Sequence, residues 1–294
     1  MRPLEGRIIK AIAGFYYVHT ERGILACKAR GVFKKRGITP RVGDFVVIDP
    51  QGTMEGIIDE VKPRKNEITR PKIVNVDQIL LVFSLVDPPL SFYQIDKMLA
   101  MTTLHGFTAR IALTKMDLPG AMNVLTTVAR IYEPLGYVIY PIEIHHQVGF
   151  SALRDGLRGV VTVLTGQSGV GKSTLLRTLS PESGAVSGNI SDASHRGKHT
   201  TTSVEMYPFE QGYIADSPGF SQYDVLLEDP ADLEKLFLEI RRIGQSCTYR
   251  GCLHEQEDGC VVVDAVAKGS IAQSRYDSYV QMLRAIKEWK ARRY

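Results

Sequence analysis

The stretch Gly166-Gln-Ser-Gly-Val-Gly-Lys172-Ser173 constrains this chain more than any other. It satisfies G-x-x-x-x-G-K-[ST] at every fixed position. The apolar run Val160–Leu164 precedes it and a helical pattern, Lys172–Leu179, follows, so the glycines fall at a strand-to-helix turn. At such a turn the backbone N–H groups and the helix N-terminus can close around phosphates. The expected phosphate contacts are Gly166, Gln167, Ser168, Gly169, Val170, Gly171, Lys172, Ser173 and Thr174. Lys172 supplies a compact cation for the β- and γ-phosphates, and the Ser173 hydroxyl a magnesium ligand.

The surrounding pattern agrees. From about residue 71, apolar strands alternate with helical spacings: Val76–Val86, Phe92–Leu104, Phe107–Leu113, Asn123–Glu133, Tyr137–Ile142, Ser151–Leu157, Val204–Phe209 and Tyr213–Ala215. Repeated β–α–β units predict a mostly parallel sheet with helices on both faces. Residues 1–70 differ: the runs Gly6–Val18, Gly23–Val32, Asp44–Ile48 and Gly56–Lys62 are strands punctuated by turns, which predicts a small five-stranded, OB-like barrel. Beyond residue 220 the chain turns acidic, then cysteine-rich, and ends in two amphipathic helical patterns. We therefore expect three segments: a barrel over 1–70, an α/β nucleotide domain over 71–220 and a small helical domain over 221–294.

Two further motifs complete a nucleotide site. Asp216-Ser-Pro-Gly219 has the D-x-x-G form at a strand end, with Asp216 as a magnesium-side carboxylate and the Gly219 N–H for the γ-phosphate. Gly197-Lys-His-Thr-Thr-Thr202 lies between it and the phosphate loop. Thr201 is the expected magnesium hydroxyl, with Thr200 the alternative, in the manner of a nucleotide-sensing loop. Phe220 follows the D-x-x-G and offers no hydrogen bond to an attacking water. His199 is the candidate for that role, the plainer reading being that it supports its own loop. Lys172, Thr201 and His199 form the expected catalytic set.

Thr114-Lys115-Met116-Asp117 resembles N-K-x-D. An aspartate there accepts hydrogen bonds from guanine N1–H and the 2-amino group, donors that adenine lacks. Asp117 thus selects GTP over ATP, the Lys115 stem packs on the base, and Thr114, also expected at the guanine, stands where asparagine is commoner and makes a weaker contact to N7. The alternative reading is a P-loop ATPase or kinase with a fortuitous tetrapeptide. The order is permuted, because the guanine motif precedes the phosphate loop. Loops at the carboxyl ends of parallel strands can still converge on one site whatever their chain order. The permutation also puts Asp216–Gly219 directly before the last segment, so nucleotide state is expected to alter the orientation of residues 221–294.

Cys247, Cys252, His254 and Cys260 supply three thiolates and an imidazole, the donor set of a closed structural zinc site. The fourth cysteine, Cys27, is expected to be a buried strand residue. No run approaches a membrane span, the longest being Ile79–Val86, and the N-terminus lacks an apolar signal core. A cytoplasmic monomer is expected. Net charge is +4, but residues 1–70 hold 14 Lys/Arg against 8 Asp/Glu, and the last fifteen residues are basic too. Basic ends suggest a polyanionic partner, and Phe15, Tyr16, Tyr17 and Phe33 beside the basic strands would serve either base stacking or a core.

Taken together, these residues resemble the bacterial circularly permuted, ribosome small-subunit-dependent GTPases. The resemblance runs through Gly14-Phe-Tyr-Tyr17, Arg41-Val-Gly-Asp44, Asn75-Val-Asp-Gln78, the phosphate loop, Gly197–Thr202, Asp216–Phe220 and the Cys/His cluster. It implies a late-acting assembly factor of the small ribosomal subunit. The barrel and zinc domain would touch rRNA, the subunit would stimulate hydrolysis of GTP to GDP, and His199 would be catalytic. No S-A-K-like base-stacking motif follows Ile139, which leaves that loop unassigned.

Overall fold

The computed structural model describes residues 2–35, 37–69, 71–181, 204–216, 224–255 and 257–293. The chain forms two compact units. The first takes in residues up to 80, 149–166 and the described residues from 171 to 216; the second takes in 81–148, 167–170 and 224–293.

The first unit opens with a closed barrel. Its strands are β1 (Leu4–Ile12), β2 (Phe15–Thr20), β3 (Gly23–Ala29), β4 (Phe45–Pro50) and β5 (Glu55–Val61), in the order β1-β2-β3-β5-β4. The run Gly6–Val18, read as one strand, is two. Ala13 and Gly14 both take positive φ (50° and 84°), which folds the chain into a two-residue hairpin. The run Gly23–Val32 ends at Ala29 and gives way to a short helix, α1 (Gly31–Lys35). Four consecutive residues of β1, Arg7–Lys10, are buried, which simple alternation forbids. A register shift between Ile8 and Lys10 accounts for part of this. The outer face is also covered: the Arg7 guanidinium lies 4.0 Å from the Phe45 ring centre and 5.0 Å from that of Tyr213.

A short pair, β6 (Glu67–Ile68) and β7 (Ile73–Val74), leads out of the barrel into β8 (Gln78–Ser84). Asn75-Val-Asp-Gln78 is the junction. The Asn75 amide donates to the Gly43 carbonyl, the Asp77 carboxylate accepts the Val161 N–H at 2.8 Å, and Gln78 donates to Gly156 and Thr162. Strand β8 runs through both units. In the first its neighbours follow as β8-β11-β13-β12, with β11 (Val161–Thr165) parallel to β13 (Gly212–Asp216) and β12 (Glu205–Phe209) antiparallel to β13. Helices α4 (Phe150–Leu157) and α5 (Lys172–Leu179) precede and follow β11. In the second unit the order is β8-β9-β10, with β9 (Thr108–Thr114) and β10 (Val138–Pro141) parallel. All seven residues of β8 are buried, as expected of a strand covered on both faces.

In the second unit α2 (Phe92–Leu104) packs against α8 (Gln273–Ala291), with α3 (Ala121–Tyr132), α6 (Leu238–Gly244) and α7 (Val261–Ala267) around them. At the centre is Arg275, 2% exposed. Its guanidinium donates to Asp96 at 2.7 Å and to both oxygens of Glu239, at 2.6 and 3.1 Å. The Tyr132 hydroxyl donates to the same Asp96 oxygen at 2.6 Å. Burial pushes the Asp96 carboxyl up, and the Arg275 charge opposes that. Residues 224–293 are thus fastened to α2 through buried charge. The Lys97–Asp224 pair at 2.6 Å adds a second tie.

Candidate nucleotide site and metal centre

Strand β11 ends at Thr165 and α5 begins at Lys172, so the phosphate loop lies at the strand-to-helix turn predicted for it. Its glycines adopt conformations other residues resist: φ is 83° at Gly169 and 92° at Gly171, which caps α5. Ser168, Gly169, Ser173 and Thr174 are exposed, and Gly166, Gln167 and Lys172 are half-buried. Val170 alone turns its side chain into the core, at 1% exposure. Burial pushes the Lys172 ammonium below its ordinary range, and the charge of Asp216 pulls it back up. Asp216 ends β13, whose register sets it opposite Leu164 of β11. Ser173 and Asp216 thus offer a hydroxyl and a carboxylate, the oxygen donors a magnesium ion takes.

His199, Thr200, Thr201 and Gly219 lie outside the described residues, as do the rest of Gly197–Thr202 and Ser217–Phe220.

The guanine motif follows β9. Asp117 is exposed within a turn closed by the Leu118 N–H on the Lys115 carbonyl. The Lys115 ammonium donates to the Asp87 backbone carbonyl and to its carboxylate, at 3.1 Å for the latter. Asp87 therefore steers the lysine, a partner that no spacing in the sequence announces. Thr114 is fully buried; its hydroxyl lies 2.6 Å from the Val170 carbonyl and 3.2 Å from that of Phe83. A hydroxyl has one proton to give, and the shorter contact takes it. The Thr114 hydroxyl, at the first position of the guanine motif, thus donates to the phosphate loop.

The segment after β10, which carries no sequence motif, is ordered by Glu143. This carboxylate is buried and accepts the N–H groups of His145 and His146 at 2.9 Å each, and the His146 imidazole at 2.9 Å. The Glu143 N–H in turn donates to the Val148 carbonyl. The Met116 N–H donates to the Ile142 carbonyl, which sets this turn beside the guanine motif.

Cys247, Cys252, His254 and Cys260 come together, their donor atoms all within 4.8 Å of one another. The Cys252–Cys260 and Cys247–Cys260 sulfurs are 3.7 and 3.9 Å apart. His254 Nδ1 is 3.6 Å from the Cys247 sulfur and 3.3 Å from that of Cys260. Ligands about 2.3 Å from a common centre, in tetrahedral array, have edges of about 3.8 Å, so four donors here fit one metal ion. His254 Nε2 faces Glu234 at 3.3 Å, the carboxylate partner that orients a ligating imidazole. Tyr276 and Tyr279 donate to the His254 and Leu253 carbonyls, fixing the knuckle from α8. Cys27 is fully buried in β3, and burial pushes its thiol up to about 11. Among the described residues no helix is long and apolar enough to cross a membrane.

Comparison with known proteins gives a consistent picture. The RsgA GTPase family model matches residues 61–226, and the RsgA N-terminal domain model matches 5–58. The chain is 40% identical over 292 residues to the small ribosomal subunit biogenesis GTPase RsgA of Halalkalibacterium halodurans, covering 99% of each chain. It is 41% identical to the protein of that name from Bacillus subtilis, covering 98% of this chain and 99% of the relative. Among solved structures it resembles YloQ, described as a circularly permuted GTPase, with 35% identity, TM-score 0.76 and 98% and 96% coverage. YjeQ from Thermotoga maritima is similar too, with 31% identity, TM-score 0.80 and 97% and 99% coverage.

Proposed function

The chain belongs to the RsgA GTPase family, and from that premise we propose that its hydrolysis of GTP serves late maturation of the small ribosomal subunit. One observation carries this reading: the likeness to small-subunit biogenesis GTPases runs the whole length, through barrel, sheet and Cys/His segment alike.

On this reading the three segments divide the work. The barrel over 1–70 and the helical domain over 221–294 bind rRNA, and 71–220 binds nucleotide. The basic balance of the first 70 residues and of the last fifteen favours a phosphate backbone as partner. The exposed Phe15 ring, with the Lys28 ammonium 4.9 Å from its centre, offers a base a stacking surface beside a cation. The Cys/His cluster takes a structural zinc, since four closed soft donors leave no open position. The protein works as a cytoplasmic monomer until it meets the subunit.

In the nucleotide site, Asp117 pairs with the guanine edge, the Lys115 stem covers the base, and the Glu143-ordered turn forms the neighbouring wall. Gly166–Thr174 wrap the phosphates, and Lys172 offsets charge that builds as the β–γ bridging oxygen leaves. Ser173, Asp216 and Thr201 would hold magnesium, which supplies further charge stabilisation when bound. The Gly219 N–H would hold the γ-phosphate. His199 orients the water that bonds to the γ-phosphorus as the bond to the GDP oxygen breaks.

The test is the initial rate of GTP hydrolysis titrated with purified small subunits. A rise of about an order of magnitude or more supports the proposal. Tight GTP binding with no rise would make the protein a nucleotide sensor with another activator. Replacing His199 should depress turnover while sparing GTP affinity; equal loss of both would remove it from the water-orienting role.

A further inference from the structure

Lys10 and Glu205 form an ion pair that the nucleotide reading leaves unused. Lys10 lies on β1 with its side chain 8% exposed, and Glu205 opens β12 at 20% exposure. The ammonium contacts Glu205 Oε1, while the Tyr207 hydroxyl donates to Oε2 at 2.8 Å. Both carboxylate oxygens are therefore drawn towards the barrel side of β12.

The register of the hairpin gives this pair its importance. Glu205 stands directly opposite Asp216 on antiparallel β12 and β13. Residues so placed share a face of the sheet, with Cβ atoms roughly 5 Å apart, and like charges there repel. Two carboxylates meet at the end of the strand that carries the metal-side aspartate. Each has its own cation: Lys10 for Glu205, and Lys172, whose charge senses Asp216. Removing Lys10 would leave Glu205, half-buried like Asp216, as an uncompensated anion opposite it.

We propose that Lys10 is a positioning residue for nucleotide discrimination: it keeps the Glu205 charge away from Asp216 and so preserves the preference for a triphosphate over a diphosphate. The inference rests on the reading of Asp216 as the carboxylate on the magnesium and γ-phosphate side. A terminal phosphate adds negative charge at that side of the nucleotide, so a freed Glu205 penalises GTP more than GDP. Asp117 and the base are not involved, so guanine selectivity stays as it was.

The experiment measures equilibrium affinity of the full chain for GDP and for a non-hydrolysable GTP analogue, both at saturating magnesium. The proteins are the parent, Lys10→Met, Lys10→Arg, the double variant Lys10→Met/Glu205→Gln, and Asp216→Asn. Lys10→Met should weaken the GTP analogue by roughly fivefold or more while GDP affinity changes less than about twofold. Lys10→Arg keeps the cation and the parent ratio. The double variant removes both charges, avoids a buried unpaired ion, and should recover the parent ratio. A pair that merely holds the fold would lower both affinities together, and that result, or an unchanged ratio in Lys10→Met, overturns the proposal. If Asp216→Asn also leaves the ratio unchanged, the reading of Asp216 falls and the proposal with it. If Asp216→Asn shifts the ratio and Lys10→Met does not, only the proposal falls.

Discussion

The Thr114 hydroxyl donates to the Val170 carbonyl, 2.6 Å away, and so fastens the end of β9 to the phosphate loop. A peptide unit is planar and trans, so its carbonyl and N–H point opposite ways. Pinning the Val170 carbonyl therefore fixes the direction of the Gly171 N–H, the amide that opens α5. Thr114→Val keeps the shape and deletes the donor. It should weaken GTP, GDP and 7-deaza-GTP alike by about fivefold, the worth of roughly 1 kcal/mol for a lost hydrogen bond. Thr114→Ser should retain affinity. Titration calorimetry with the three nucleotides decides the matter, since a loss with GTP and GDP that is absent with 7-deaza-GTP would return Thr114 to the base.

The metal centre predicts a stoichiometry. Purified protein should carry one zinc ion per chain by elemental analysis, and stripping it with a strong chelator should lower the melting temperature. Glu234→Leu leaves all four ligands in place but removes the acceptor behind His254. It should weaken zinc affinity by about tenfold, read by competition with a chromophoric chelator. Unchanged affinity would reduce Glu234 to a surface contact.

Arg275 neutralises two carboxylates inside the second unit. Arg275→Met leaves Asp96 and Glu239 buried without a cation, a loss of about 3–5 kcal/mol in urea unfolding. Arg275→Met combined with Asp96→Asn and Glu239→Gln should be markedly less destabilised than the single variant. A cost that stays under about 1 kcal/mol for the single variant would show that water reaches the cluster.

Asp77 gives a pH signature. Burial pushes its carboxyl up, but bonds from Lys65 and the Val161 N–H outweigh that and hold it below the usual carboxylate range. A depressed carboxyl stabilises the fold above its unfolded pKa, and that contribution fades as pH falls through the folded value. Asp77→Asn should therefore be less stable than the parent at neutral pH, with the difference closing only in strong acid. Chemical denaturation at pH 7 and near pH 3 measures it. A difference that persists unchanged in acid would assign the effect to geometry rather than charge.

Helix spacing and apolar runs gave the strand and helix order closely: Phe92–Leu104 and Lys172–Leu179 agree to the residue. Fixed-spacing motifs marked the phosphate loop and metal ligands because their chemistry demands particular residues at particular intervals. The Ala13–Gly14 turn escaped notice because an alanine at positive φ gives no breaker signal and the flanking residues stay apolar. Asp87, Glu143, Glu234 and Lys10 were equally hidden. Asp87, Glu234 and Lys10 act on residues brought near by tertiary folding, and Glu143 on its own neighbours His145 and His146, so no spacing marks them. The expected movement of residues 221–294 meets a firm constraint, since 224–293 are packed on α2 through Arg275 and Lys97.

The position of Arg275 in the chain has a consequence for how the protein is born. Asp96 is made early, whereas Arg275, the cation that neutralises it and Glu239, comes 179 residues later on α8. The barrel, complete within the first 61 residues, can close during translation. The second unit must wait for α8, so until Arg275 is made Asp96 stands without its cation, and a chain cut short before Arg275 never reaches the buried state.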